Sequence, residues 1–361
     1  MTSAPTPPAA TPPSTKYSDV KFSDVYAELM SASGLSESTT RQLFDAIFAG
    51  AWTPIQIGGI LVALRQRGET ASIIAAAAAA MRGAMVRVTH DFPKLLDTCG
   101  TGGDGSGSLN LSTGAALVAA AAGVRVAKHG NRAATSRSGS ADVLESLGIP
   151  LDVPAELQAE VLDEAGIAFL FAQAHHPAMR HAMSARRELG IRTVLNLLGP
   201  LSNPAGVTHQ LLGAPDDASR QLLAEALQKL GVERAWVVRS VDGLDEVSPF
   251  AETRVTVLHD GKLREHTISP ESFGFAPSPP GAIDGGEPAD NARALSSILK
   301  GEAHPAADAV ALNAAAALVV SEGMSESEAG RAAREVLKSG KGFKTLEAWG
   351  ASAHKRRPRK G

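Results

Sequence analysis

The chain has 361 residues, 44% of them hydrophobic and 20% charged, with a formal net charge of -3 and a pI near 6.4. That length supports two cores, since one core usually stops growing at roughly 250 to 300 residues. The charge balance argues against nucleic-acid binding, and the longest apolar runs, Ile73 to Met81 and Ala115 to Val124, fall well short of the roughly 20 residues that span a bilayer. The single cysteine, Cys99, cannot form an internal disulfide, and the N-terminus lacks a charged segment followed by an apolar one. A cytoplasmic protein with a small-molecule partner is expected.

Met1 to Lys16 holds five prolines among Ala, Ser and Thr, a composition expected to stay disordered. From residue 17 to about 90 the signals are helical. Thr53-Pro54-Ile55-Gln56 reads as a capping box with proline at the first helical position, and Ile57, Ile60, Leu61 and Leu64 follow at helical spacing. An Ala-rich segment after Thr70 predicts another helix, and no strand pattern interrupts, so this part reads as a small all-helical domain.

After about Asp91, short β-branched runs alternate with Ala-rich helical stretches, the pattern of an α/β domain. Val124 to Ala127, Ile167 to Phe171 and Ala235 to Arg239 are predicted strands. Arg254 to His259 and Lys262 to Ile268, joined by Asp260-Gly261, predict a hairpin with a type I′ turn. Ser325 to Glu328 is a capping box for a late helix ending near Gly340. Residues 354–361 form a basic tail, expected to be solvated rather than a binding site for an anionic partner.

The densest chemical signal is Gly100-Thr101-Gly102-Gly103-Asp104-Gly105, followed by the polar run Asn110, Ser112, Thr113 and a helix expected to start near Thr113. Glycines let backbone N–H groups approach an anion, and a helix start adds positive dipole, so the segment reads as a phosphate cradle. A nicotinamide site is disfavoured, because the positions about 20 residues on are basic (Arg125, Lys128). Lys128 to Ser136 directly follows a predicted strand and gathers cations, hydroxyls and an amide, as a second wall of the same anion site would. Asp245-Glu246 supplies the hard oxygen ligands that magnesium takes alongside phosphates and water.

These segments, with Ser138 to Glu145, Arg186 to Pro204 and Asp242 to Glu246, resemble in order and spacing the anthranilate phosphoribosyltransferases, over about Tyr17 to Trp349. Ser108 stands where the family commonly has Thr, and Thr135 where it commonly has Ser; both keep a hydroxyl. The resemblance implies the nucleoside phosphorylase and phosphoribosyltransferase class IV fold, α/β with a small all-helical domain and a larger α/β domain. It implies that helices within 177–201 join the small domain (17–90), leaving 91–176 and 202–353 as the α/β domain that binds phosphoribosyl pyrophosphate (PRPP) and magnesium. A homodimer is also implied.

Residue by residue, the resemblance places PRPP against Gly100, Gly103, Asp104, Ser108, Asn110, Leu111, Ser112 and Thr113. It adds Lys128, His129, Gly130, Asn131, Arg132, Ala133, Ala134, Thr135, Ser136 and Ser140. Gly100, Asn131 and Arg186 would contact anthranilate, while Ser112, Asp245 and Glu246 would hold magnesium, two ions per site. The expected reaction is displacement of pyrophosphate from PRPP by the amine of anthranilate, in tryptophan biosynthesis. It needs no strong acid or base, although His129 could relay a proton. Two alternatives are a nucleoside phosphorylase of the same superfamily and a noncatalytic relative that binds nucleic acid through its basic tail.

Overall fold

A computed structural model describes residues 19–102, 104–133 and 137–358. The expectations for Met1 to Lys16 and for Gly103, Ala134, Thr135 and Ser136 lie outside the described residues.

The chain begins with α1 (Phe22–Met30), α2 (Glu37–Phe48), α3 (Pro54–Arg67) and α4 (Ala71–Gly83). The capping box at Thr53 is formed: the Gln56 N–H donates to the Thr53 hydroxyl at 3.3 Å, and the Thr53 N–H donates to Gln56 Oε1 at 3.0 Å. Ile57, Ile60, Leu61 and Leu64 are all fully buried, as the periodicity predicts. Next come β1 (Leu96–Gly100), α5 (Leu111–Ala121), β2 (Val126–Gly130), α6 (Ser140–Ser146), α7 (Gln158–Ala165) and β3 (Ile167–Phe171). α8 (Ala172–His175), α9 (Arg180–Leu189) and α10 (Leu195–Leu198) lead to β4 (His209–Gly213), α11 (Asp217–Lys229), β5 (Arg234–Ser240), β6 (Thr253–His259) and β7 (Lys262–Ile268). Last are α12 (Pro288–Leu299), α13 (Ala307–Glu322), α14 (Glu326–Lys338) and α15 (Lys341–Lys355).

The strands form one sheet in the order β3-β2-β1-β4-β5-β6-β7; the first five run parallel, and β6 and β7 pair antiparallel. Asp260 and Gly261 both take positive φ, as the predicted hairpin turn requires. Successive strand residues alternate between two cores: Leu211 and Trp236 face the one built with α5 and α13, Leu212 and Val237 the one shared with α2, α4 and α11. α4 packs on both α2 and α11, and α9 packs on α3. Ala182, Ala185, Leu195 and Leu198, from mid-sequence, thus share a core with the first four helices.

The structure corrects several expectations. β1 and β4, at the centre of the sheet, have no counterpart among the predicted strands. β2 begins and ends later than Val124 to Ala127, so Lys128, His129 and Gly130 belong to the strand and not to the loop after it. α5 starts at Leu111, two residues before Thr113. The described part of the basic tail, residues 354–358, is not simply solvated. Arg356 donates to Glu160 at 3.0 Å and to Glu164 at 2.5 Å, and Arg357 grips both oxygens of Asp152 at 2.7 and 2.8 Å.

Candidate active site

The strand order reverses between β1 and β4, and in open α/β sheets ligands bind outside the carboxyl ends of the strands at such a switch. Here those ends are Gly100 and Gly213, side by side in register. The loop after β5 folds back over both, and Gly213 must be glycine because it meets the loop backbone. A Cβ on Gly213 would lie 1.6 Å from the Asp245 carbonyl oxygen, and one on Gly100 would lie 2.8 Å from Asp245 Oδ2. Asp245 is therefore no solvated turn residue. Asp245 is 9% exposed, wedged against the sheet edge.

From there the acids reach the other segments. The Gly102 N–H donates to Asp245 Oδ2 at 3.0 Å, and the Ser112 N–H donates to Glu246 Oε1 at 3.2 Å. Asn110, which precedes α5, does not cap it with its own side chain; that side chain bonds Ser138 and Asn291 instead. A distant carboxylate thus occupies the anion position at the start of α5. Burial, then the charge of Asp104, pushes Asp245 up to about 7. Burial, then Asp245, pushes Glu246 up to about 8.

Lys128 lies beneath this surface and not at its rim. Its buried ammonium donates to the Thr98 carbonyl at 2.5 Å and to Ser112 Oγ at 3.3 Å, and burial holds it below the usual lysine value against the pull of Asp97 and Glu246. Asp97 is fully buried and accepts from the His129 N–H and from Asn203. His129 is buried on β2, held neutral by burial and by the neighbouring His176. Its Nδ1 faces the Gly199 carbonyl at 3.1 Å and must carry the proton, which leaves Nε2 to accept from His176 Nε2 at 3.2 Å. Both ring nitrogens are engaged by the protein.

The remaining predicted residues divide. Gly130 is a close-approach position, since a Cβ there would meet Ser140 Oγ at 2.2 Å. Asn131 Oδ1 accepts from the Arg132 N–H at 2.8 Å, and the Ser140 hydroxyl donates to the Asn131 carbonyl at 3.3 Å. Arg132 turns its guanidinium to Asp142 and Glu145, and the Ala133 N–H also donates to Asp142. Leu111 is fully buried, so only its backbone can face a ligand. Thr113 Oγ1 is buried and has no hydrogen-bond partner among the described residues. Ser108 pairs with Asp284 in an isolated bridge that anchors the Gly-rich loop.

Arg186, on α9, is half-buried and makes no hydrogen bond or ion pair among the described residues; burial lowers its pKa. Six residues on, Arg192 donates to the Gly102 carbonyl at 3.0 Å, which brings the segment after α9 to the Gly-rich loop. Gly213 and Asp97 carried no motif by which sequence could single them out, and Arg192 and Asn203 fall within the Arg186 to Pro204 segment without a role of their own. Gly213 ends a short apolar run whose meaning depends on what packs against it.

Magnesium fits this donor set. Asp104 raises Asp245, and Asp245 raises Glu246, which marks surplus negative charge, and all the oxygens are hard. Among the described residues no three His, Cys, Asp or Glu side chains could hold a metal together. Substrate phosphates and water would have to complete the shell.

Residues 92–343 match the model of the glycosyl transferase family a/b domain, and residues 23–85 that family's helical bundle domain. Fold and site thus define a glycosyl transferase of this two-part class. A curated relative from Methylobacterium radiotolerans, named anthranilate phosphoribosyltransferase, is 51% identical over 294 residues, covering 81% of this chain and 85% of the relative. The crystal structure of the Thermus thermophilus anthranilate phosphoribosyltransferase is 46% identical with a TM-score of 0.84, over 89% of this chain and 96% of that one. The Saccharomyces cerevisiae enzyme, in complex with PRPP and Mg, is 28% identical with a TM-score of 0.86, over 94% and 99%. The chain belongs to the anthranilate phosphoribosyltransferase family.

Proposed function

We infer that this protein transfers the phosphoribosyl group of PRPP to the amine of anthranilate, giving N-(5-phosphoribosyl)anthranilate and pyrophosphate, in tryptophan biosynthesis. The observation that carries the reading is the convergence of Asp245 and Glu246 on the Gly-rich loop and the α5 N-terminus, at the β1/β4 switch.

In this reading, the backbone of Gly100 to Asp104 and the start of α5 receive the pyrophosphate, with Ser108, Asn110, Ser112 and Thr113 supplying polar groups. Lys128 supports them from below by orienting Ser112 and offsetting the acid charge. The resemblance assigns Asn131 to Ser136 and Ser140 to the opposite wall. Two magnesium ions, held through Asp245, Glu246 and Ser112, would supply positive charge for the departing pyrophosphate. Arg186 offers an unpaired, partly desolvated guanidinium to the anthranilate carboxylate, with Gly100 and Asn131 beside the ring.

The amine of anthranilate is neutral and needs no base to unmask it, so positioning beside the anomeric carbon supplies much of the rate. His129 is assigned no proton transfer, since both its nitrogens are occupied. The proposed acceptor residue Arg186 lies on α9, which shares a core with the first four helices, so the small domain is proposed as 17–90 plus helices within 177–201. The exposed apolar residues Tyr26, Met30, Ile55 and Val62 on α1 and α3 support a homodimer through this domain. The test is incubation with PRPP, magnesium and anthranilate while anthranilate fluorescence is followed. The signal is expected to fall, and a constant signal with folded protein contradicts the reading.

A further inference from the structure

We propose that Asn313 is a positioning residue for magnesium, fixing the chain beside Glu246 and so setting how the acid pair faces the start of α5. This rests on the magnesium assignment above.

Asn313 lies in the middle of α13, in a run of Ala and Leu, and is fully buried. A lone amide in such a helix has to be answered by partners. Its Oδ1 accepts from the Val247 N–H at 3.0 Å, while its Nδ2 donates to the Val247 carbonyl at 3.0 Å and to the Ala309 carbonyl at 3.0 Å. The side chain therefore pairs with one peptide residue as a neighbouring strand would. Val247, also fully buried, directly follows Glu246.

The same helix face holds the other side of the site. Val310, one turn from Asn313, packs on α5 at Gly114, where a Cβ would meet Val310 Cγ1 at 2.9 Å. Gly114 is two residues from Ser112, whose N–H donates to Glu246. α13 thus touches the helix that offers the N–H through Val310 and the loop that carries the acids through Asn313. Across the loop, Asp242 joins Ser240 to Ser248 and closes it from the solvent side. The acid loop is thus held on both sides, and Asn313 anchors Val247, the residue next to Glu246, to the core.

The test compares the parent with Asn313→Ala and with Leu312→Ala, which removes a buried side chain from the same helix that makes no hydrogen bond to the loop. In metal-free protein, hydrogen exchange at the Val247 amide should quicken in Asn313→Ala and stay slow in Leu312→Ala. In calorimetric titrations with PRPP present, the magnesium needed for half-saturation should rise on the order of tenfold in Asn313→Ala, the effect of losing one or two buried hydrogen bonds. Anthranilate affinity should be unchanged at saturating magnesium.

If Asn313→Ala does not fold, Asn313→Asp replaces it. A protonated carboxyl keeps one acceptor and one donor for Val247, so this variant should approach the parent at low pH and fall behind as the group ionises. Equal magnesium titrations for Asn313→Ala and Leu312→Ala, or an Asn313→Asp variant that tracks the parent at every pH, would overturn the proposal while leaving magnesium use intact. A parent that binds PRPP identically with and without magnesium would overturn both.

Discussion

Glu246 accepts a hydrogen bond from the Ser112 backbone at 3.2 Å, placing an acidic side chain on the first turn of a helix some 130 residues away in sequence. A phosphate would seek the same N–H groups, so the acid and the substrate compete for the helix unless a cation draws them together. In the proposed function, magnesium is that cation.

One consequence concerns stability. A carboxyl raised from 4.5 to about 8 keeps its proton in the folded chain after the unfolded chain has lost it. Its contribution to stability therefore falls as pH rises through that window. Glu246→Gln removes the penalty, and the metal-free variant should be more stable than the parent at pH 8 by about 1 to 3 kcal/mol, with little difference near pH 4. Chemical denaturation at the two pH values measures this. A Glu246→Gln variant that is less stable at pH 8 would count against the surplus charge.

Magnesium binding in the presence of PRPP should release protons near pH 7, because Asp245 and Glu246, raised to about 7 and about 8, must ionise to coordinate. Calorimetry in two buffers of different ionisation enthalpy reads the number directly. The release should shrink as pH rises above about 9. Equal heats in both buffers at pH 7 would show that the acids are already ionised.

Arg186→Ala should weaken anthranilate by roughly 10- to 100-fold, the range expected for losing a charged hydrogen bond, and leave PRPP nearly unaffected. Lysine at this position should restore only part of the loss, since it lacks the planar fork. Titration of each ligand separately distinguishes this from a structural role, in which both would weaken together.

Glycines at the sheet edge should differ sharply in their tolerance. Gly213→Ala forces a methyl group into the Asp245 carbonyl and must move the acid loop, so kcat/KM should drop by at least about tenfold. Gly102→Ala faces open space and meets only the strain of a positive φ, an effect of about 1 kcal/mol. Steady-state rates for the two variants, compared at saturating magnesium, check the contrast.

The sequence made the helical start of the chain legible because its signals are local. Thr53 and Gln56 specify a cap, and Ile57 to Leu64 specify a face, without help from distant residues. The Asp260-Gly261 hairpin was legible for the same reason. β1 and β4 were not. Asp97 and Thr98 interrupt an apolar pattern in β1, and their burial makes sense only with Lys128, His129 and Asn203 in place. The segments later found at the site were recognisable as motifs, but their relations were not. Nothing in Asp245-Glu246 predicts burial against Gly213, and nothing in a run of alanines predicts that Asn313 reaches Val247. A basic tail looks solvated until Glu160, Glu164 and Asp152 are brought beside it by the fold.

Asp245 and Glu246 are proposed to carry the magnesium that turnover requires. Initial rates of anthranilate consumption across a magnesium titration, for the parent and for Asp245→Asn combined with Glu246→Gln, test it most directly. The double variant should be folded and need at least about tenfold more magnesium, or fail to turn over at any concentration. Superimposable titration curves for the two proteins would contradict it.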